Sequence, residues 1–119
     1  MGSLEKKLNT QIEGVLLTPL KTIDVSGGDV RHAMKRSDPG YKGFGEAYFS
    51  IVESGVVKAW KRHKLMTLNL VVCSGMVRFV LYDDRQNLDK NLFQEVVLSS
   101  ENYFRLTVPS MVWMGFQGM

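Results

Sequence analysis

The sequence predicts an all-β protein, an antiparallel β-sandwich or barrel, and three observations predict it. Short apolar runs recur at intervals of about 8 to 12 residues, with turn signals at Ser74-Gly75 and Asp83-Asp84 between them. In Val77-Arg78-Phe79-Val80-Leu81-Tyr82, side chains alternate across a pleated strand, so Val77, Phe79 and Leu81 share one face and Arg78, Val80 and Tyr82 the other. No stretch carries sustained helical periodicity, and there is no internal repeat or low-complexity linker.

The elements follow in order. Residues 4–9 read as a short helical or frayed lead, which sets 1–11 apart from a single domain over 12–119. Gly14-Val15-Leu16-Leu17 begins the strands, and Ser26-Gly27-Gly28-Asp29 is a turn whose glycines reach positive φ at no steric cost. The turn formers of Asp38-Pro39-Gly40-Tyr41-Lys42-Gly43-Phe44-Gly45 make a loop. Strands are then expected at 46–52, 56–60, 67–73, 77–82, 93–98, 104–108 and 112–116.

Composition fits a small globular domain. A chain of 119 residues, 45% of them hydrophobic, removes roughly two-thirds of its unfolded surface from water on folding. No apolar run approaches the ~20 residues that span a membrane. Met1-Gly2-Ser3 opens a polar segment without a signal-peptide core, and Lys6 stands where myristoylation needs Ser or Thr. The expectation is a soluble cytoplasmic protein with no membrane partner. Cys73, the one cysteine, cannot form an internal disulfide; lying in an apolar run, it is expected as a buried reduced thiol.

The net charge is +3 and the pI about 9.1. Positive side chains cluster at Lys58, Lys61, Arg62 and Lys64 with His63, and again at Lys35, Arg36 and Lys42. Such clusters attract phosphate through long-range fields; equally, lysines along a solvated strand edge discourage sheet-to-sheet association. Nucleic acid is not expected, because 12 acidic residues are interspersed and no nucleic-acid module is present.

The run Gly55-Val56-Val57-Lys58-Ala59-Trp60-Lys61-Arg62-His63-Lys64 carries the most chemistry. On an unbroken strand Lys61 and His63 share a face with Val57 and Ala59, while Lys58, Trp60 and Arg62 point oppositely. The run resembles the first motif of the cupins, a glycine followed after five residues by His-x-His, with Lys61 in the first histidine position and His63 in the second. The second cupin motif, Pro-x-Gly-x-x-His, reads Pro109-Ser110-Met111-Val112-Trp113-Met114. Further landmarks narrow the resemblance to RmlC-like cupins, the dTDP-4-dehydrorhamnose 3,5-epimerases and dTDP-sugar ketoisomerases. They are Tyr48-Phe49-Ser50, Val80-Leu81-Tyr82-Asp83-Asp84-Arg85, Val97-Leu98-Ser99-Ser100-Glu101-Asn102, Val108-Pro109 and Gly115-Phe116.

The resemblance implies that position 61 holds the general base that removes a proton beside a sugar keto group. A lysine can replace it only with a strongly lowered pKa; otherwise it snorkels at a barrel mouth. Lys61 and His63 are therefore the catalytic candidates, and Lys58, Lys61, His63, Arg78, Tyr82, Trp113 and Met114 the ligand-binding candidates. Asp24-Val25-Ser26-Gly27 stands where the family has Asp-x-Arg-Gly, so the arginine that binds nucleotide phosphate there is missing. No metal or other cofactor is expected, because the motif offers one imidazole where cupin metals take two or three.

In the family the acid tyrosine and orienting aspartate lie beyond Gly-Phe, and this chain reaches Met119 three residues past Phe116. The expectation is a C-terminally short cupin whose last strand, apolar at Trp113, Met114 and Phe116, pairs with a second copy. Three readings stay open: a degenerate cupin binding a nucleotide sugar or carbohydrate-like molecule without epimerising it, an active epimerase or ketoisomerase, and a structural protein with a filled barrel.

Overall fold

The computed structural model describes residues 12–85 and 92–119, so the expected lead at 4–9 lies outside the described residues. Among them are nine strands and no helix: β1 Leu16–Pro19, β2 Thr22–Ile23, β3 Val30–Arg31, β4 Val57–Lys61, β5 Leu68–Leu70, β6 Met76–Asp83, β7 Leu92–Ser99, β8 Phe104–Val108 and β9 Trp113–Gly118. All strand pairings are antiparallel. A three-stranded sheet runs β1-β8-β5, a four-stranded sheet runs β4-β9-β6-β7, and β2 and β3 form a separate hairpin.

Alternation builds the core. The register sets Leu81 opposite Met114 and Phe79 opposite Phe116, so these side chains share the inner face of the four-stranded sheet. On β7, Val96 and Leu98 join them. On β8, Phe104, Leu106 and Val108 supply the other layer, and all of these pack in one cluster with Ile12, Val15, Val72 and Val112. The face partition read from residues 77–82 is the one observed.

The opposite face of β8 is buried too, under the loop that follows β3. Arg105 is fully buried. Its Nη1 donates to the Ala33 carbonyl at 2.7 Å and to Asp38 Oδ2 at 3.2 Å, and its Nη2 donates to the Pro39 carbonyl at 2.8 Å. Beside it Thr107 Oγ1 donates to Asn69 Oδ1 at 2.7 Å, while Asn69 Nδ2 donates to the Gly40 carbonyl at 3.0 Å. Gly40 is required there: its φ is +86°, and a Cβ would stand 2.5 Å from Thr107 Oγ1.

Five expectations are corrected. Residues 46–52 form no strand within this chain, and Phe44, Tyr48, Phe49 and Ile51 project into solvent. The expected strand at 67–73 is cut to Leu68–Leu70, and Cys73, in the loop leading to the Ser74-Gly75 turn, is exposed rather than buried. β9 is no uncovered edge, since it is paired with β4 on one side and β6 on the other. The fifth, the face assignment on β4, belongs with the site. Among the described residues, no helix is long and apolar enough to cross a membrane.

Candidate functional site

The motif strand contains a bulge. Lys58 pairs with Phe116 and Lys61 with Met114, so Ala59 and Trp60 together oppose Gly115 alone. The extra residue reverses the parity after it. Lys61 therefore does not share a face with Val57, which lies opposite Gln117 on the outer face; it shares the inner face with Lys58. Gly115 makes this possible, because a Cβ there would stand 2.8 Å from the Ala59 Cβ.

Two rows of side chains thus cross the inner face, Lys61–Met114–Leu81–Gln94 and Lys58–Phe116–Phe79–Val96. Both lysines are exposed at the β4 end and apolar side chains fill the middle. Lys58 Nζ donates to the Ile51 carbonyl at 3.3 Å. His63, half-buried, lies past the end of β4, where its carbonyl accepts the Met111 N–H at 2.7 Å. That hydrogen bond ties the two motif segments together.

Met111 occupies the place of the motif glycine and has a φ of 69°. A residue with a Cβ in this left-handed region is destabilised by about 1–2 kcal/mol. Met111→Gly is expected to leave the fold unchanged and to raise stability by up to ~1 kcal/mol after glycine's greater unfolded-state entropy is subtracted, measured as a rise in urea midpoint.

The remaining ligand-binding candidates do not join the lysines. Arg78, Tyr82 and Trp113 lie on the outer face, in register with Gln117, Trp113 and Tyr82 respectively. There Arg78 Nε pairs with Glu95 Oε1 at 2.8 Å, Trp113 Nε1 donates to Asp84 Oδ2 at 3.2 Å, and the Arg62 guanidinium lies 4.5 Å from the Trp113 ring centroid. The structure therefore brings Lys58, Lys61 and Met114 together, sets His63 beside them in the chain, and separates Arg78, Tyr82 and Trp113 onto the far side of the sheet.

Two residues were missed from the sequence. Alternation with Val77, Phe79 and Leu81 places Asp83 on the inner face, the one carboxylate there among the strands of the two sheets. It is taken up by Arg85, whose Nε donates to Oδ1 at 2.9 Å and Nη2 to Oδ2 at 3.1 Å, and these bonds hold its pKa below the ordinary carboxylate range despite desolvation. The Asp-x-Arg spacing sought at Asp24 occurs at Asp29-Val30-Arg31; Arg31 lies 4.6 Å from the Tyr103 ring centroid and donates to the Ser100 carbonyl at 2.9 Å. Among the described residues, no group of three or more His, Cys, Asp or Glu is arranged to hold a metal.

Two sheets packed face to face, a bulged motif strand and an inner face open at that strand define a cupin-type jelly roll. No protein-family model matches the chain. The solved dTDP sugar isomerase of Desulfovibrio desulfuricans G20 is 40% identical, with a TM-score of 0.85 over 91% of this chain and 70% of that one. The chain belongs to this RmlC-like family of dTDP-sugar isomerases and epimerases. The RmlC epimerase of Legionella pneumophila Philadelphia 1, solved with dTDP-4-keto-L-rhamnose, shares the fold at 22% identity, TM-score 0.78, over 94% of this chain and 64% of that one. A curated relative, the probable low-salt glycan biosynthesis epimerase Agl13 of Haloferax volcanii, is 29% identical over 75 residues, 61% of this chain; the match spans 48% of that protein, about half its length.

Proposed function

We propose that the chain binds a nucleotide sugar or a carbohydrate-like molecule at the inner face of β4 and does not carry out ordinary epimerase proton transfer. The observation that carries the proposal is the bulge, which turns Lys58 and Lys61 together onto the inner face. Two ammonium groups beside an apolar floor suit an anionic diphosphate joined to a sugar ring. The names of the relatives, a dTDP sugar isomerase and an epimerase in complex with a dTDP-keto sugar, support the same ligand class.

Proton abstraction is a different demand. A base in position 61 has to be unprotonated and oriented, and the inner-face carboxylate of this sheet, Asp83, is held by Arg85 instead. Saturation-transfer NMR with dTDP-glucose is expected to detect binding, weakened about 10- to 100-fold in Lys61→Ala by loss of a charged hydrogen bond. No deuterium exchange into dTDP-4-keto-6-deoxyglucose is expected. Exchange by the wild type that vanishes in Lys61→Ala would show an active epimerase or ketoisomerase and overturn the reading.

The proposal includes self-association, through a segment other than β9. Residues 42–51 lie exposed between the loop held by Arg105 and the bridge at Ser54, which pairs with Gly118. Within them residues 46–51 belong to the stretch whose composition reads as a strand, and a second copy is the partner proposed to complete it.

A further inference from the structure

The two sheets are unequal, and the mismatch falls at the motif strand. One cavity is lined by Leu17 of β1, Phe104 of β8 and residues 94–99 of β7, so the β1 edge of the three-stranded sheet lies against the β7 edge of the four-stranded one. Across the sandwich from there, three strands face four, and β4 has no strand opposite it among the described residues. Burial follows the count. Val96 and Leu98 on the inner face of β7 are buried, whereas every residue of β4 is exposed, Lys58 and Lys61 included.

The strand edge beside this position, β5, is open to hydrogen bonding. The Leu20 N–H donates to the Tyr103 carbonyl at 3.2 Å, which makes Tyr103, Arg105 and Thr107 the positions whose main chain serves the β1 side and leaves Phe104, Leu106 and Val108 to β5. Leu68 and Leu70, opposite Val108 and Leu106, are thereby spent on β8, and the main chain of Asn69 points off the free edge. The exposed segment 42–51 lies at the same side of the molecule. It starts beside β5, where the Gly40 carbonyl accepts Asn69 Nδ2, and ends beside β4, where the Ile51 carbonyl accepts Lys58 Nζ. A two-fold axis at this side brings each copy's segment to the other's β5. Alternation puts Ala47, Phe49 and Ile51 on one face of the segment and Glu46, Tyr48 and Ser50 on the other.

We propose that residues 46–51 of a second copy add a strand beside β5, opposite β4, so that each inner-face site is completed by the other copy. The face of Ala47, Phe49 and Ile51 turns inward, because the floor it meets there is Met114 and Phe116. This rests on the self-association and the inner-face site proposed above and makes the two one structure. The test is an isotope-filtered NOE spectrum of a mixed dimer, one copy carrying isotope-labelled lysine and the other unlabelled. Cross-peaks from the Lys58 and Lys61 side chains to aromatic protons of the unlabelled copy are expected, and are lost when that copy carries Phe49→Ser. A wild-type dimer without these cross-peaks, or with cross-peaks that survive Phe49→Ser, overturns the proposal whether or not a nucleotide sugar binds.

Binding supplies a second readout. Phe49→Ser and the double variant Lys58→Ala, Lys61→Ala are each expected to bind dTDP-glucose at least about tenfold more weakly than the wild type. Their mixture is expected to regain wild-type affinity in a fraction of the sites, because a heterodimer sets intact lysines under an intact segment. No recovery in a mixture that contains heterodimer sinks the shared site alone. A monomeric wild type removes the self-association beneath it as well, and a wild-type dimer that binds no dTDP-glucose removes the ligand and leaves the cross-peaks to decide.

Discussion

Arg105→Met is expected to destabilise the protein by about 3–5 kcal/mol, the cost of breaking a buried charged network by removing one partner. The guanidinium is wholly enclosed and serves three acceptors on the loop after β3, two of them main-chain carbonyls. Methionine keeps much of the volume and removes every donor, so the carbonyls of Ala33 and Pro39 lose their partners. Against a domain stability of about 5–15 kcal/mol this is a large fraction. Arg105→Lys is expected to lose less, because an ammonium keeps the charge but cannot reproduce the planar fork. Urea midpoints at unchanged m-value measure both, and a loss below ~1 kcal/mol in Arg105→Met would sink the argument.

The same network gives a sign for acid. The carboxylate of Asp38 accepts the Lys35 backbone N–H at 2.9 Å, and that bond, with Arg105 and Lys35 nearby, holds its pKa below the ordinary 3.8 against some desolvation. A carboxyl whose folded pKa is lowered stabilises the fold fully above its unfolded value. Its contribution is lost as pH falls through the folded value. The loop is therefore held at neutral pH, and its ionic tie fails only in acid below 3.8.

How much of this was legible depends on what each signal measures. Alternation from Val77 to Tyr82 reports which residues share a face, and β6 follows it; the limits of β8 were read as they stand. The bulge on β4 was not legible, because Val57-Lys58-Ala59-Trp60-Lys61 reads as one strand and a single unpaired residue reverses every side chain beyond it. That reversal put Lys61 on the same face as Lys58, while register alone set Arg78, Tyr82 and Trp113 outside. β2 and β3, of two residues each, are too short for any period to register. Cys73 was misread because an apolar run was taken as a whole strand, whereas β5 ends at Leu70. Residues 46–52 have strand composition, but composition cannot say which chain supplies the partner.

That last point leads to the second large expected effect. The double variant Phe49→Ser, Ile51→Ser is expected to convert a dimer into a folded monomer. Phe49 is 96% and Ile51 84% exposed in the single chain, with Phe44 and Tyr48 exposed alongside them. So much contiguous apolar surface marks an interaction site. An extended segment joins a neighbouring sheet edge through its main chain and seats alternate side chains in pockets. Burying a Phe or Ile side chain contributes about 1.5–3 kcal/mol. Each replacement occurs in both copies, so four such side chains are lost, and the dimer should then weaken by about 6–12 kcal/mol, roughly four to nine decades in dissociation constant. Stability of the single chain should barely change, because the altered side chains stand mostly in solvent within it. Leu65→Ser serves as the control: Leu65 is 94% exposed but lies outside the segment, so the dimer should persist. The measurement is molar mass by light scattering across a dilution series. A wild-type chain that is monomeric at ~10 μM, where a dimer held by ~8 kcal/mol or more would persist, removes the second copy from the picture.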